Sequence, residues 1–295
     1  MTVLRHIEDY GVRIRYVELW NEPDLPFFYS GTYEEFFEMY RAFAPAVKAA
    51  GFKVGGNGWA GALKAEKWLG QFLVDCRDGD VPLDFYTFHR YDTKVAKVLQ
   101  RCHEVRKAMD DTGFADAECI IDEWGYDLRD APYMGTVGGA TFIASCLMQL
   151  PDAGISAQTH VLLVDPISDP NLGRFHGLTR RDGDPNPIFY AMREFEAFQA
   201  TPRRIRTADD ERVLAGVDES GKKLTILIAN PSKKKPFNIA LQLTGTASGT
   251  IREFTQASFV AGDGFGPGRE IQLGADATSV VVAPETMTVI EAALA

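Results

Sequence analysis

Apolar and polar positions along the first 200 residues repeat a cycle in which a short apolar run is followed by a helical pattern. Strands are predicted over residues 12–19, 52–56, 83–88, 118–122 and 155–164, and helices over residues 32–50, 65–76, 92–111, 136–150 and 187–198. The helix over residues 32–50 has Thr32 and Glu35 at capping-box spacing and ends at Gly51. Strands that alternate with helices predict a parallel sheet with right-handed crossovers.

The pattern changes after Pro202, where short alternating runs are separated by Gly, Pro, Asn and Asp turns. The predicted strands cover residues 212–217, 223–229, 237–243, 250–254, 279–283 and 286–291. This pattern is typical of an antiparallel β-sandwich. We therefore predict two domains, an α/β domain over residues 1–201 and a sandwich domain over residues 202–295.

Two of the predicted strands end in a glutamate. Residues 12–19 lead into the corner Trp20-Asn21-Glu22-Pro23, and residues 118–122 lead into Glu123-Trp124. In parallel α/β barrels the carboxyl ends of the strands carry the chemistry, so we expect Glu22 and Glu123 to face one site. A pair of carboxylates is what glycosidic cleavage requires. Taken singly, either glutamate also fits a structural role, since Pro23 ends a strand and Glu123 could cap a helix.

The order of these motifs resembles clan A glycoside hydrolases, most closely family 39, the β-xylosidase and α-L-iduronidase group. The similar segments are Val17 to Pro23 (fourth strand), Lys53 to Gly56 (fifth), Asp84 to Tyr91 (sixth), Ile121 to Trp124 (seventh), and Phe175 to Thr179 with Asn186 to Ala191 (after the eighth). The resemblance covers residues 10–200. It implies a TIM-barrel fold, a (β/α)8 type, over residues 1–201, followed by an accessory β-sandwich that serves as a structural support or as a carbohydrate-binding module.

The resemblance also implies a function. Glu22 corresponds to the acid/base and Glu123 to the nucleophile of a retaining double displacement on a β-xyloside-like or related glycan. Asn21 would bind the 2-hydroxyl of the sugar beside the nucleophile. No metal and no cofactor are required by this chemistry.

Four further residues are candidates for substrate binding. His89 and Tyr91 follow the strand over residues 83–88 and could bind the nucleophile or a sugar hydroxyl, or could serve in capping or packing. Trp59 and Trp124 follow strand ends, where an indole can stack on a pyranose ring, although a core role for one of them is also compatible with the sequence. Asp165 and His160 flank the last predicted strand without an assignable role.

Two features depart from the family pattern. Where the family has an aromatic residue at the end of the eighth strand, this chain has Thr159-His160-Val161-Leu162. The first recognisable strand resembles the fourth of the barrel, so three strand-helix units are lacking and the barrel is expected to be incomplete at the N-terminus. Open sheet edges invite association, which predicts either self-association or an N-terminal segment that completes the barrel.

The composition of the chain limits the classes of molecule that it is expected to bind. A formal net charge of -10 and a pI near 5.1 disfavour nucleic acids and anionic membranes. No apolar run approaches the roughly 18 residues that span a bilayer. An oligosaccharide or polysaccharide is therefore the expected partner, and the sequence leaves a cytoplasmic or secreted location open. The cysteines, Cys76, Cys102, Cys119 and Cys146, are expected to be buried thiols.

Three hypotheses follow from the sequence. The chain is an active retaining glycosidase, a weak or inactive carbohydrate-binding remnant of such an enzyme, or an assembly protein built on an open half-barrel. Hydrolysis, glycan binding without hydrolysis, and the oligomeric state distinguish them.

Overall fold

The computed structural model describes residues 2–61, 65–166, 175–209, 211–242, 247–260, 264–274 and 276–294. The chain divides into two compact units. The first unit comprises Met1–Tyr91, Ala96–Trp124 and Pro151–His160, and the second comprises Asp92–Val95, Gly125–Leu150 and Val161–Ala295. The predicted domain boundary at residue 202 stays a prediction.

The first unit is built on a sheet of short strands with helices between them. Its elements are α1 (Thr2–Asp9), β1 (Tyr16–Glu18), α2 (Tyr33–Ala49), β2 (Lys53–Gly55), α3 (Ala65–Asp78), β3 (Phe85–Tyr91), α4 (Val95–Asp111), β4 (Glu118–Gly125) and β5 (Ala157–Gln158). The five strands lie side by side in chain order, with β1 and β5 at the edges. The pairs β1 with β2, β2 with β3, and β4 with β5 are parallel. The carboxyl ends of these strands therefore meet at one edge of the sheet.

Helix α2 shows how local signals and burial act together in this unit. Thr32 accepts a hydrogen bond from the backbone of Glu35, and the Glu35 side chain accepts one from the backbone of Thr32, which confirms the predicted capping box. Buried positions recur along one face of the helix, as Phe36, Tyr40, Ala44 and Val47. That face packs on β2 and α3, so its apolar stripe fixes the helix against the sheet.

The second unit begins with two helices, α5 (Ala131–Met134) and α6 (Val137–Gln149). It continues with β6 (Leu162–Val164), β7 (Gly177–Thr179), α7 (Pro187–Ala197), β8 (Arg203–Ile205), β9 (Val213–Val217), β10 (Lys223–Asn230), β11 (Phe237–Leu241), β12 (Ala247–Phe254), β13 (Arg269–Leu273), β14 (Thr278–Val282) and β15 (Thr286–Leu294). Helix α6 is buried through most of its length and packs on α7, β10 and β15. An apolar helix without a polar face is stable only in such a position.

Antiparallel strands form the larger part of the second unit. Six strands lie in the order β13-β12-β15-β10-β9-β8, and β11 pairs with β14 as a separate two-stranded sheet. The apolar core includes Leu224, Ile226, Ile228, Val280 and Ile290. The second unit is thus an antiparallel β-sandwich with two helices packed on it. Together with the open parallel sheet of the first unit, it confirms the predicted fold class, an incomplete barrel type followed by a sandwich.

Several element bounds differ from the prediction. The strand predicted over residues 12–19 is limited to Tyr16–Glu18, because only these residues pair with β2. The strand predicted over residues 155–164 is two strands, since β5 pairs with β4 and β6 pairs with β7. Strands β7, β8 and β13 and helices α1 and α5 were not predicted. The four cysteines are free and buried, as expected. None of the described helices is long and apolar enough to cross a membrane.

Candidate active site

Glu22 lies in a tight corner just after β1. Its backbone has φ of 50°, in the left-handed region that residues other than glycine seldom adopt. The backbone N–H of Glu22 lies 3.1 Å from both the Asn57 and the Gly58 carbonyl oxygens. Such a conformation costs about 1–3 kcal/mol and persists only where neighbouring contacts impose it. The loop after β2 therefore fixes the direction of the Glu22 side chain. Backbone strain such as the positive φ of Glu22 is common at functional sites.

Glu123 lies on β4, and its side chain points to the same site as the Glu22 side chain. The Tyr91 hydroxyl, at the end of β3, donates a hydrogen bond to Oε2 of Glu123 at 3.3 Å. Burial raises the pKa of Glu123, His89 opposes that rise, and the charges of Glu22 and Asp122 add to it. Burial and the neighbouring carboxylates also raise the pKa of Tyr91, so Tyr91 remains a neutral donor.

His89 of β3 connects the two glutamates. Its side chain is 1% exposed, and its Nδ1 lies 2.7 Å from Oε1 of Glu22 and 3.5 Å from Oε2 of Glu123. Nε2 of the same ring lies 3.5 Å from Oδ1 of Asp122. Burial alone would lower the pKa of His89, but the close contacts with the Asp122 and Glu22 carboxylates and the charges of Asp122 and Glu123 raise it to about 10. His89 is therefore an imidazolium surrounded by carboxylates at neutral pH.

The separation of the two glutamates bears on the chemistry that they can perform. One oxygen of Glu22, one ring nitrogen of His89 and one oxygen of Glu123 all lie within 4.8 Å of one another. Carboxyl groups about 5–5.5 Å apart suit a retaining mechanism, whereas about 6.5–9.5 Å suits an inverting one. We assign no metal to this cluster, because Nδ1 of His89 is already hydrogen-bonded to Oε1 of Glu22.

The glycine-rich loop after β2 allows the site residues to approach one another closely. A Cβ atom on Gly58 would lie 2.8 Å from Nε2 of His89 and 2.9 Å from Oδ1 of Asn21. A residue with a side chain at Gly58 would thus displace both groups, and the backbone there also has positive φ. Asn21 is exposed beside His89 and Glu22, a position from which its amide can reach a bound sugar.

The two tryptophans proposed for sugar stacking lie in the core. Trp59 is 0% exposed and packs against Phe36, Phe72 and Tyr86. Trp124 is also 0% exposed, and its Nε1 donates a hydrogen bond to Oε1 of Gln158 at 3.0 Å. Neither ring has a free face on which a pyranose could stack. The structure therefore favours the core interpretation for both residues and corrects the stacking prediction.

Backbone contacts of Trp59 nevertheless support the site. The His89 N–H donates to the Trp59 carbonyl at 2.9 Å, and Trp59 forms an isolated parallel bridge with Phe88. The buried indole thus anchors the loop against the strand that carries His89.

The polar groups Glu18, Thr87 and Asp122 at this site were not singled out from the sequence. The Thr87 hydroxyl donates to Oε1 of Glu18 and accepts from the N–H of Gly58 at 2.7 Å. Burial and the charge of Asp122 raise the pKa of Glu18 to about 8. Glu18 is an exposed residue of the edge strand β1, and its carboxyl group faces Asp122 and Thr87. One feature of the sequence could have indicated Glu18, since Glu18 and Glu22 lie four residues apart around the end of one strand.

The residues beyond β5 have structural contacts. Asp165, left unassigned from the sequence, accepts hydrogen bonds from the Gly177 N–H at 2.9 Å and from the Asn186 amide at 3.1 Å. It therefore fixes the segment before α7 within the second unit.

Comparisons with known proteins agree with this geometry. The family model described as Glycosyl hydrolases family 39 matches residues 2–201. A β-xylosidase of Caldicellulosiruptor saccharolyticus is 26% identical over 251 residues, which cover 76% of this chain and 50% of that protein. A β-xylosidase of Geobacillus stearothermophilus is 27% identical over 228 residues, 67% of this chain and 45% of that protein. The chain spans about half the length of these relatives.

Solved structures show the same fold. A monomeric β-xylosidase from Caulobacter crescentus CB15 superposes with a TM-score of 0.78 at 21% identity, covering 99% of this chain and 73% of that chain. A glucosidase from Croceicoccus marinus superposes with a TM-score of 0.77 at 22% identity, covering 94% of this chain and 68% of that chain. Because the family model matches more than half of the sequence, the chain belongs to glycosyl hydrolases family 39.

Proposed function

We propose that this chain is a retaining glycoside hydrolase in which Glu123 is the nucleophile and Glu22 the acid/base. The observation that carries the proposal is the cluster in which an oxygen of each glutamate and a nitrogen of His89 lie within 4.8 Å of one another. Membership of family 39 and the position of both glutamates near the carboxyl ends of parallel strands support it.

The first half of the reaction forms a glycosyl-enzyme. The Glu123 carboxylate attacks the anomeric carbon, and Glu22 gives its proton to the glycosidic oxygen as the bond to the leaving group breaks. His89 donates from Nδ1 to Oε1 of Glu22, so the second oxygen of Glu22 is the one that exchanges the proton. Tyr91, a neutral donor, holds Oε2 of Glu123 and leaves its other oxygen for the attack.

The second half returns the enzyme to its starting state. Glu22, now a carboxylate, takes a proton from water as the oxygen of that water attacks the anomeric carbon. The bond between Glu123 and the sugar breaks, and Glu123 leaves as a carboxylate. Two inversions at the anomeric carbon give net retention. Asn21, which precedes Glu22 and lies near His89, is proposed to hydrogen-bond the 2-hydroxyl of the sugar throughout.

The proposed substrate class is a β-xyloside or a related glycan, since both curated relatives named above are β-xylosidases. Hydrolysis of an aryl β-xyloside followed by proton NMR tests the proposal. The β-anomer of xylose should appear first and then mutarotate to the equilibrium mixture. First appearance of the α-anomer would exclude retention, and absence of hydrolysis from a panel of aryl β- and α-glycosides would exclude the enzymatic role.

A second candidate function is glycan binding without turnover. It is favoured by the exposure of the first unit's edge strand, where Tyr16 is 38% exposed and Trp20, just beyond the strand, is 36% exposed. Exposed aromatic residues are common at surfaces that bind sugars. In that case isothermal titration with xylo-oligosaccharides should give the same affinity for the wild type and for Glu123→Gln, with no reducing sugar released by either.

A further inference from the structure

A second pair of carboxylates lies next to the Glu22 and Glu123 pair. Asp122 precedes Glu123 in β4, and its Oδ1 is buried 3.5 Å from Nε2 of His89. Glu18, on β1, faces the Asp122 carboxyl group from the other side, and Oε1 of Glu18 accepts the Thr87 hydroxyl hydrogen. These side chains form a series of hydrogen-bonded and charged neighbours from Thr87 through Glu18, Asp122 and His89 to Glu22.

Only one of the two carboxyl groups of Glu18 and Asp122 is expected to be ionised at a time. Two carboxylates that face each other repel, and the Asp122 side chain is only 19% exposed, so ionisation of both is unfavourable and one of them keeps a proton. Oδ1 of Asp122 lies 3.5 Å from Nε2 of His89, so the cationic ring attracts the Asp122 carboxylate. For Glu18, burial and the charge of Asp122 raise the pKa and outweigh the opposing effects of the Thr87 hydroxyl and the His89 charge. The shared proton is therefore assigned to Glu18.

The close approach of Glu18 is built into the loop after β2. A Cβ atom on Gly56 would collide with Cγ of Glu18, and Gly56 has φ of 113°. Gly58 provides the corresponding space for the His89 ring. The loop Gly56-Asn57-Gly58 thus leaves space for the Glu18 side chain and for the His89 ring.

We propose that Glu18 and Asp122 are positioning residues that share one proton and thereby keep His89 doubly protonated, with Nδ1 directed at Oε1 of Glu22. An imidazole that lost the Nε2 proton could rotate or change tautomer, and Glu22 would lose its fixed donor. This inference rests on the proposed function, because the role of Glu22 as acid/base is part of it. It assigns no contact with substrate to either Glu18 or Asp122.

The titratable groups that face this arrangement come from four elements. They are Glu22 after β1, Tyr40 of α2, His89 and Tyr91 of β3, and Asp122 and Glu123 of β4. Tyr40 is neutral because burial raises its pKa well above the usual value. The raised pKa values of Glu18, about 8, and of His89, about 10, agree with one shared proton and a persistent imidazolium.

NMR titration of the full chain tests the inference without requiring activity. In the wild type, the two ring nitrogens of ¹⁵N-labelled His89 should keep imidazolium shifts throughout pH 5 to 8.5, assigned by their absence in His89→Asn. The ¹³C carboxyl signal of Glu18, assigned by its absence in Glu18→Gln, should titrate near pH 8. Titration of His89 near 6.5 or of Glu18 near 4.5 would overturn the inference, and neither result needs a variant of Asp122.

The variant Asp122→Asn tests the coupling between the members. Removing its charge should lower the titration midpoints of both His89 and Glu18 by about one pH unit or more. Glu118→Gln is the matched control, because it lies on the same strand but pairs with Lys53, and it should leave both midpoints unchanged. Midpoints that do not move in Asp122→Asn, or that move equally in Glu118→Gln, would contradict the proposed pair.

Activity separates failure of this inference from failure of the proposed function. If Glu123→Gln abolishes hydrolysis while the His89 and Glu18 midpoints are ordinary, the function stands and the carboxyl pair is refuted. If the midpoints are as expected but the wild type hydrolyses no glycoside, the pair exists and the proposed function is refuted.

Discussion

Nδ1 of His89 lies 2.7 Å from Oε1 of Glu22, which joins β3 to the corner after β1. The same nitrogen lies 3.5 Å from Oε2 of Glu123 on β4. One buried imidazolium therefore fixes the spacing of both glutamates and offsets part of their mutual repulsion. Two carboxylates this close need such a cation, because the nucleophile must stay ionised while its partner exchanges a proton.

The two glutamates should respond differently to loss of charge. Glu123→Gln removes the proposed nucleophile and should abolish turnover of every substrate. Glu22→Gln removes the proposed general acid, and general acid catalysis contributes about 10²–10⁴-fold, so turnover should fall least for aryl glycosides whose leaving groups need no protonation. Steady-state kinetics on aryl glycosides with leaving groups of different pKa measure both effects.

The matched control for these variants is Glu34→Gln, an exposed glutamate in the first turn of α2. It should retain wild-type kinetics. Equal, mild losses in Glu22→Gln and Glu123→Gln would show that neither glutamate has its assigned role.

Replacement of His89 should change the pH profile as well as the rate. We expect His89→Asn to lower kcat/KM by about 10²-fold, since a misplacement of about 1 Å at a catalytic group can have that effect. The positive charge of His89 lowers the pKa of Glu123, so its loss should move the acid limb of kcat/KM to higher pH. A pH series of kcat/KM, beside the exposed control His103→Asn, measures the shift; an unmoved acid limb would contradict this electrostatic role.

Stability should fall as the pH rises, because the folded state binds more protons than the unfolded state at two groups. The pKa of Glu18 is raised from 4.5 to about 8 in the folded state, so its contribution to stability is complete below about pH 4.5 and is lost as the pH rises to about 8. The pKa of His89 is raised from 6.5 to about 10, so its contribution to stability is complete below about pH 6.5 and is lost as the pH rises to about 10. Glu18→Gln should flatten the decline between pH 4.5 and 8 in urea unfolding curves.

Glu118 provides a control of opposite sign. Burial tends to raise the pKa of Glu118, but hydrogen bonds from Lys53 and Tyr16 outweigh it and leave the pKa lowered. Its contribution is therefore present above about pH 4.5 and is lost as the pH falls. Glu118→Gln should destabilise the protein at neutral pH and leave the decline between pH 4.5 and 8 unaltered. A decline that persists in Glu18→Gln would contradict the assignment to Glu18.

Trp59 distinguishes a core role from a sugar-binding role. Trp59→Phe should lower the free energy of unfolding by roughly 1–3 kcal/mol, because it leaves a void among Phe36, Phe72 and Tyr86. KM for an aryl xyloside should stay within about twofold of the wild type, since the indole has no face toward substrate. A large rise in KM without loss of stability would restore the stacking interpretation.

Much of the fold and of the candidate catalytic pair followed from local signals in the sequence. The capping box at Thr32 and the glutamates that end two strands depend on residues close in the chain, and periodicity detects them. Trp59 could not be placed in the same way, because its burial depends on Phe36 and Phe72 from two separate helices. The strand predicted over residues 155–164 divides because its halves have different partners, which a run of apolar residues does not reveal.

The Glu18 and Asp122 pair was missed for a related reason. These residues lie on β1 and β4, which are not neighbours in the sheet, so neither strand register nor spacing brings them together in the sequence. Their contact depends on the direction of two side chains across the sheet and on the absence of a side chain at Gly56. Such relationships appear only once the strands are placed in three dimensions.

The most direct measurement of the central claim is covalent trapping with an activated 2-deoxy-2-fluoro-β-xyloside. The fluorine slows hydrolysis of the glycosyl-enzyme more than its formation when the leaving group is good. Peptide mapping by mass spectrometry should then find a single fluoroxylosyl group on Glu123 and none in Glu123→Gln. Hydrolysis of aryl β-xylosides without a label on Glu123, or with the label on another residue, would contradict the assignment of Glu123 as the nucleophile.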